Sequence, residues 1–199
     1  MRCLQALRDL DLPQGYIGAG FVRNAIWDEL HNRATTTPLN DIDVVYFHGE
    51  RDAPRSCATT EHAAQSMSQS AVQSLNYSIY LSTAKAQEFK LERELARVVP
   101  QANWQVKNQA RMHLAHSHSP YRSCCEAISY WIERETCVAV RLTANDDIDV
   151  LAPFGLSANF ASTISINPAF PRADAFKQRI TAKNWQRNWP LLNVVEPTV

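Results

Sequence analysis

The sequence predicts a mixed α/β (α+β) domain, with a mixed β-sheet flanked by helices. Three observations carry that prediction. Short β-branched or aromatic runs alternate with stretches whose apolar residues recur every three or four positions, the pattern of strands interleaved with helices. A glycine-bracketed turn, Gly18-Ala19-Gly20, joins one such run to one such stretch. No internal repeat is evident, and 199 residues suffice for one substantial core but not for two large ones. Residues 1–199 are therefore expected to form a single domain.

The elements follow in chain order. Leu4, Ala6, Leu7 and Leu10 predict a short amphipathic helix that ends before Pro13. Tyr16-Ile17-Gly18-Ala19-Gly20 reads as a short strand entering a tight turn. Phe21, Val22, Ile26, Trp27 and Leu30 then predict a helix with one buried face. Asn32 to Asn40 reads as a polar loop, and Ile42 to Phe47 is the strongest strand signal in the chain. The stretch from Arg51 to about Lys85 is dominated by Ser, Ala, Gln and Thr. Ala64, Met67, Ala71 and Leu75 can line a modest helix capped by Thr60, and a mobile excursion fits the composition as well. Phe89, Leu91, Leu95, Val98 and Val99 predict a helix stopped by Pro100, followed by a strand over Asn103–Lys107. A helix over Glu126–Tyr130 and a hairpin of Cys137–Leu142 with Asp149–Leu151 come next. After Pro171, Phe176, Ile180 and Trp185 mark a last helix, with Lys177, Arg179, Lys183 and Arg187 expected on its wetter faces.

Composition narrows the function. Twenty basic and twenty acidic side chains cancel, so a strongly basic groove for a long nucleic acid is not advertised. No apolar run approaches spanning length, and charge interrupts the N-terminal stretch where a signal peptide needs an apolar core. The five cysteines are odd in number and scattered apart from Cys124-Cys125, with no Cys-x-x-Cys pair. They read as small buried hydrophobes in a reducing compartment, and a cytoplasmic protein without a membrane partner is expected.

The chemistry concentrates in the first quarter of the chain. Glycines around a small residue let the backbone come close to a ligand, and a helix starting after such a turn offers free N–H groups to phosphate. Gly18, Ala19 and Gly20 before the Phe21 helix have this form, and Arg23, one turn in, has the guanidinium that grips phosphate oxygens. In Asp41-Ile42-Asp43 the two carboxylates lie on one side of an extended segment while Ile42 points to the core. Like charges so placed call for a cation, and hard oxygen ligands suit magnesium (or manganese).

Ile17-Gly18-Ala19-Gly20-Phe21-Val22-Arg23-Asn24 followed by Asn40-Asp41-Ile42-Asp43-Val44 resembles the nucleotidyltransferase superfamily typified by polymerase-beta-like and tRNA CCA-adding enzymes. Further motifs resemble a bacterial family of small nucleotidyltransferase-like proteins: Trp27-Asp28-Glu29-Leu30-His31, Trp104 to His113, Pro120-Tyr121, Ala152-Pro153-Phe154-Gly155-Leu156 and Trp189-Pro190. The likeness spans the chain except about residues 52–85, which look like an insertion. It implies a nucleotidyltransferase-like fold and transfer of a nucleoside monophosphate from a nucleoside triphosphate to an acceptor hydroxyl. Gly18, Ala19, Gly20 and Arg23 would bind the triphosphate, and Asp41 and Asp43 would be catalytic metal ligands. Lys107 and Asn108, in the polar cluster with Arg111 and His113, would contact the nucleotide. A small-molecule acceptor is favoured over nucleic acid. A catalytically impaired nucleotide-binding module and a tRNA- or RNA-associated enzyme are the alternatives.

The superfamily adds a third carboxylate from a later strand. The strand holding Gln105 is in the expected place, but Gln105 is neutral; Asp147 and Asp149 are the other candidates. Where acidic residues are expected after Gly155-Leu156, the chain has Ser157-Ala158-Asn159-Phe160. His113, His116 and His118 lack the companions of a zinc site and read as solvated or core histidines.

Overall fold

The computed structural model describes residues 1–49 and 69–195, the side chains of 69–81 excepted. Its centre is β1 (Tyr16–Gly18), which pairs antiparallel on one side with β2 (Ile42–Tyr46) and on the other with β4 (Ala139–Leu142). β3 (Trp104–Asn108) lies parallel to β2 on one edge, and β5 (Ile148–Leu151) forms the predicted hairpin with β4 on the other. The order is β3-β2-β1-β4-β5, a mixed sheet as expected. A parallel pair needs a long crossover, and α3 (Gln69–Val98) belongs to it.

Period-two alternation sorts the sheet's faces. Ile42, Val44 and Tyr46 point to one side, where Ile17, Trp104, Val106 and Leu142 join Leu4 and Leu7 of α1 (Arg2–Asp9), Leu91 and Leu95 of α3, and Val99 just after it. Asp43 and Val45 point to the other. There Tyr16, Val45 and Ala139 pack on Cys124 and Ile128 of α4 (Cys124–Ile128). That helix begins at Ser123, whose side chain accepts the Glu126 N–H at 3.1 Å. A separate core joins Trp27 of α2 (Gly20–Leu30) to Ile164, Phe176, Trp185, Trp189 and Leu192. It is built from β6 (Thr163–Ser165), α6 (Ala173–Lys183), α7 (Trp185–Asn188) and β7 (Asn193–Val195), with α5 (Ser157–Phe160) leading into β6. β6 and β7 form a parallel two-stranded sheet.

Several expectations need correction. α3 starts twenty residues before Phe89, and it is Glu88 that is buried while Phe89 is 60% exposed and Val98 43%. The inward stripe is Glu88, Leu91, Leu95 and Val99, so apolarity at Phe89 misplaced the face. Thr60, Ala64 and Met67 lie outside the described residues. The helix expected over Glu126–Tyr130 lies two residues earlier. The last helix breaks at Asn184, which adopts a left-handed conformation (φ 43°, ψ 47°) and separates α6 from α7. β6 and β7, three residues each, carry too little periodicity to be read from sequence.

The buried Glu88 finishes the sheet. β3 is an edge strand, and its outward N–H groups at Val106 and Asn108 donate to Glu92 Oε1 (2.9 Å) and Glu88 Oε1 (2.8 Å). One helical turn rises about 5–6 Å and two strand residues about 7 Å, so carboxylates four apart on α3 match alternate amides of β3. Lys107 lies 3.7 Å from Glu88 and 3.9 Å from Glu92, and Arg111 closes on Glu88 from the 3-10 helix Gln109–His116 that follows β3.

Candidate active site

The turn between β1 and α2 is built from three different needs. A Cβ at Gly18 would meet Trp131 Cη2 at 3.0 Å and the Val138 carbonyl at 3.3 Å, so packing against β4 requires glycine there. Ala19 caps α2 at φ 51°, ψ −120°, a conformation natural to glycine and strained for alanine. It is held by its own N–H donating to Val138 O at 2.9 Å and by Arg23 N donating to its carbonyl at 3.0 Å. Gly20 is different. A Cβ there would touch nothing nearer than Arg23 Nη2 at 3.6 Å, so the fold itself leaves room for a side chain. Gly20 lines an open chamber at the N-terminal end of α2, the helix end that favours an anion.

Asp41 and Asp43 face that space. Both line a chamber of about 300 Å³ together with Ala19, Gly20, Arg179 and Lys183. Asp41 is exposed and Asp43 half-buried. Neither makes a hydrogen bond or ion pair among the described residues. Burial, with the charge of Asp41 second, pushes the Asp43 pKa above the ordinary carboxylate value, against the pull of Arg23, Lys183 and Arg179. Two unpartnered carboxylates beside a gap that a Cβ would fill form a donor set suited to a hard divalent cation shared with phosphate. Among the described residues no third His, Cys, Asp or Glu joins them. Asp149 is excluded by topology. It sits on β5, three strand spacings or roughly 14 Å from β2, and accepts from Arg141 Nε (2.7 Å) and Tyr16 Oη (2.9 Å). Asp147 belongs to the exposed β4–β5 turn. Gln105 is the register partner of Asp43 on the parallel neighbour, so a neutral side chain stands where the third acid was expected. Ser157–Phe160 line neither this chamber nor its neighbour.

Arg23 lines the same chamber, one turn into α2. Its Cζ is 4.8 Å from the Trp27 ring centroid and 4.6 Å from that of Trp185. Nη1 donates to Thr136 Oγ1 at 2.7 Å, while Nε and Nη2 reach Asn24 Oδ1. Burial lowers its pKa to about 10. These three bonds and the two rings hold the guanidinium as a fixed positive charge at the chamber wall, with the second N–H of Nη1 and of Nη2 not used by them. Asn108 also has another role. Its Oδ1 accepts from His48 N and Ala110 N, both at 3.1 Å, and its Nδ2 donates to His48 O at 3.0 Å. It ties the end of β2 to the turn after β3. Lys107 lines the adjoining chamber but is shared with Glu88 and Glu92.

Sequence reasoning missed the opposite wall. Arg179 and Lys183, one turn apart on α6, line the chamber with the glycine turn and Asp43, Lys183 exposed as expected and Arg179 partly buried. The buried Glu133 holds Arg179 through Nε and through Nη2 at 3.1 Å, and Thr136 Oγ1 bridges Glu133 (3.0 Å) to Arg23. The spacing of Arg179 and Lys183 was legible, but which face of α6 meets the cleft is set by the tryptophan core. Asp28 positions the approach to Asp41. It accepts from Thr37 N (2.7 Å), Thr37 Oγ1 (2.6 Å) and Trp189 Nε1 (2.8 Å), pinning the loop before β2. Burial alone would raise its pKa, but these donors outweigh it and the net shift is downward.

A second chamber of about 340 Å³ lies on the other side of Asp43 and shares Ala19, Asp43, Thr136 and Arg179 with the first. Tyr121, Tyr130, Trp131 and Met112 give it aromatic and apolar walls. No helix of the described residues is long and apolar enough to cross a membrane.

The sequence model of a family described as nucleotidyltransferase matches residues 5–80 and 74–194. No curated protein matches the chain. Among solved structures, one whose NMR structure "reveals a CCA-adding enzyme head domain" is 28% identical, with 98% of this chain and 88% of that one covered at a TM-score of 0.70. Two structures of tRNA-processing enzymes superpose over 97% of this chain with TM-scores of 0.53 and 0.50, at 13% identity. The chain spans only 43% and 44% of their lengths, and these two likenesses concern the fold alone.

Proposed function

The chain belongs to the nucleotidyltransferase family, and from that premise we propose that it transfers a nucleoside monophosphate from a nucleoside triphosphate to a small-molecule hydroxyl, with a divalent cation, magnesium or manganese, held by Asp41 and Asp43. One observation carries this reading: two carboxylates without protein partners share a chamber with Gly20, whose missing side chain leaves room at the N-terminal end of α2. When bound, the cation would neutralise phosphate charge and favour the deprotonated acceptor oxygen.

The chain's own residues supply the rest. The first N–H groups of α2 would donate to the phosphates at Gly20, while Arg179 and Lys183 flank them from α6. Arg23, fixed between two tryptophans, adds positive charge without having to reorganise during the reaction. In the transfer the acceptor oxygen bonds to the α-phosphorus and the bond to the bridging oxygen breaks. Pyrophosphate leaves with that electron pair, and the hydroxyl proton passes to water at the cleft mouth. The unpaired thiols Cys3, Cys124, Cys125 and Cys137 support a cytoplasmic setting; burial pushes the Cys124 and Cys137 thiols up to about 12, so neither is a nucleophile.

One observation favours a second reading, a nucleotide-binding module without transfer: the place beside Asp43 is taken by Gln105. Calorimetry with each nucleoside triphosphate, with and without magnesium, tests binding, and release of pyrophosphate in the presence of candidate alcohols or tRNA tests transfer. Magnesium-dependent binding that is lost in Asp41→Asn and Asp43→Asn supports the site. Unchanged binding in both variants refutes it, and binding without pyrophosphate release under any acceptor selects the second reading.

A further inference from the structure

The two chambers meet at four shared residues, Ala19, Asp43, Thr136 and Arg179. Among the described lysines and arginines, Arg23 and Lys183 line only the chamber of the glycine turn, Lys107 and Arg172 only its neighbour, and Arg179 lines both. Arg179 therefore stands with Asp43 at the border, beside a metal ligand of the transfer reading. A partly exposed arginine on a helix ordinarily exchanges among many rotamers. This one is held. A guanidinium carries five N–H groups in a planar fork and accepts none. Glu133 takes one edge of the fork: Nε donates to its Oε1, and Nη2 to its Oε2 at 3.1 Å. Nη1 has no partner among the described residues. The two-point contact fixes the plane of the guanidinium and leaves the edge at Nη1 for a second two-point contact, the geometry in which arginine binds phosphate.

Glu133 is itself tightly placed. It is 1% exposed, and its backbone pairs with Ile166 in an isolated antiparallel bridge. Arg23 Nη1 donates to Thr136 Oγ1 at 2.7 Å, and because a guanidinium only donates, the hydroxyl keeps its own hydrogen for Glu133 Oε2 at 3.0 Å. The carboxylate thus has three donors, and the chain Arg23–Thr136–Glu133–Arg179 ties α2 to α6 across the cleft. By charge alone a carboxylate here opposes an anion in the chamber. Its contribution has to come from the direction it gives to Arg179.

We infer that Glu133 is a positioning residue for the transfer: it holds Arg179 by one edge so that the other edge meets the phosphates of the nucleoside triphosphate at the border of the two chambers. The inference rests on the transfer reading for the identity of that ligand.

Charge and position predict opposite outcomes. Glu133→Gln removes a negative charge beside the chamber, which by charge alone tightens binding of an anion; if Glu133 positions Arg179, the released guanidinium loses its fixed edge and binding weakens. Each nucleoside triphosphate is titrated with magnesium into the full chain and its variants by calorimetry, and melting temperatures are measured on the same samples. Arg179→Met should weaken the best triphosphate about tenfold or more, the scale of one lost charge-assisted contact. Glu133→Gln should weaken it about three- to tenfold, and should add nothing in the double variant with Arg179→Met, because it acts through Arg179. A merely structural role would lower the melting temperature and weaken binding in both backgrounds alike. Arg179→Lys keeps the charge but not the fork, and should bind within about threefold of Arg179→Met; this variant leaves Glu133 in place and decides the matter if Glu133→Gln does not fold. Unchanged or tighter binding in Glu133→Gln overturns the inference, as does a full loss on top of Arg179→Met or parental affinity in Arg179→Lys. If parental binding is lost in Asp41→Asn and Asp43→Asn but survives Glu133→Gln intact, the inference falls alone and the transfer site stands. If the parent binds no triphosphate in the presence of magnesium, both fall.

Discussion

Replacing Gly20 by alanine separates the needs of the fold from those of a ligand. The added Cβ would lie 3.6 Å from Arg23 Nη2 and 3.8 and 3.9 Å from the Asn24 amide atoms, all ordinary contacts, and Gly20 does not have a positive φ. Folding should therefore not suffer. Alanine restricts the unfolded chain more than glycine does, so stability should hold or rise by up to about 1 kcal/mol. Nucleotide binding should move the other way. The methyl group would fill space at the N-terminal end of α2 and displace one or two charge-assisted hydrogen bonds, each worth about 1.5–3 kcal/mol. The expected loss of triphosphate affinity is then roughly ten- to a hundredfold or more. Urea unfolding and magnesium-triphosphate calorimetry on the same preparation measure the two effects. A stable variant that binds as tightly as the parent would show that no phosphate approaches Gly20. Gly18→Ala is the control of opposite kind: its Cβ would be pressed against Trp131 at 3.0 Å, and stability should drop by about 1–3 kcal/mol.

Three other perturbations follow from the geometry. Glu88→Ala leaves the Asn108 N–H and the Arg111 guanidinium without their carboxylate, and should cost about 3 kcal/mol in urea unfolding; a loss below about 0.5 kcal/mol would mean water substitutes for it. For Asp28 the folded pKa is depressed, so its contribution is complete above the ordinary carboxylate range and fades as pH falls through the depressed value. The stability gap between the parent and Asp28→Asn should therefore narrow as pH is lowered from 6 toward about 3, and a constant gap would contradict the assigned donors. Gln105→Glu should place a third acid beside Asp43. Without magnesium it should lower the melting temperature through like-charge repulsion, and with magnesium recover it; indifference to the ion would show that Gln105 does not face the site.

Much of this was legible because the decisive signals are local. The glycine turn needs only adjacent residues, and Asp41 and Asp43 share a side through strand geometry alone. The sequence-derived face of α3 failed at Glu88 and Phe89, since a carboxylate can be inside when it caps a strand edge and an aromatic can be outside. Arg23 looked like a phosphate ligand by position, but Trp185, 162 residues later, decides that it is stacked and buried. The chamber beyond Asp43 was invisible for the same reason. Tyr121, Tyr130, Phe170 and Arg172 meet only after the chain has folded, and no spacing announces them. Arg179 and Lys183 were recognised as basic, but their direction depends on how the tryptophan core seats α6.

The paired glutamates of α3 affect more than this one chain. By accepting the amides of Val106 and Asn108 they leave β3 with no free donors at those positions for a visiting strand. The opposite border, β5, has Ile148 and Val150 nearly half exposed and carries no such carboxylate strap among the described residues. Growth of this sheet by addition of a foreign segment is thus confined to one flank, the flank remote from Asp43, and a strand recruited there would leave the cleft open.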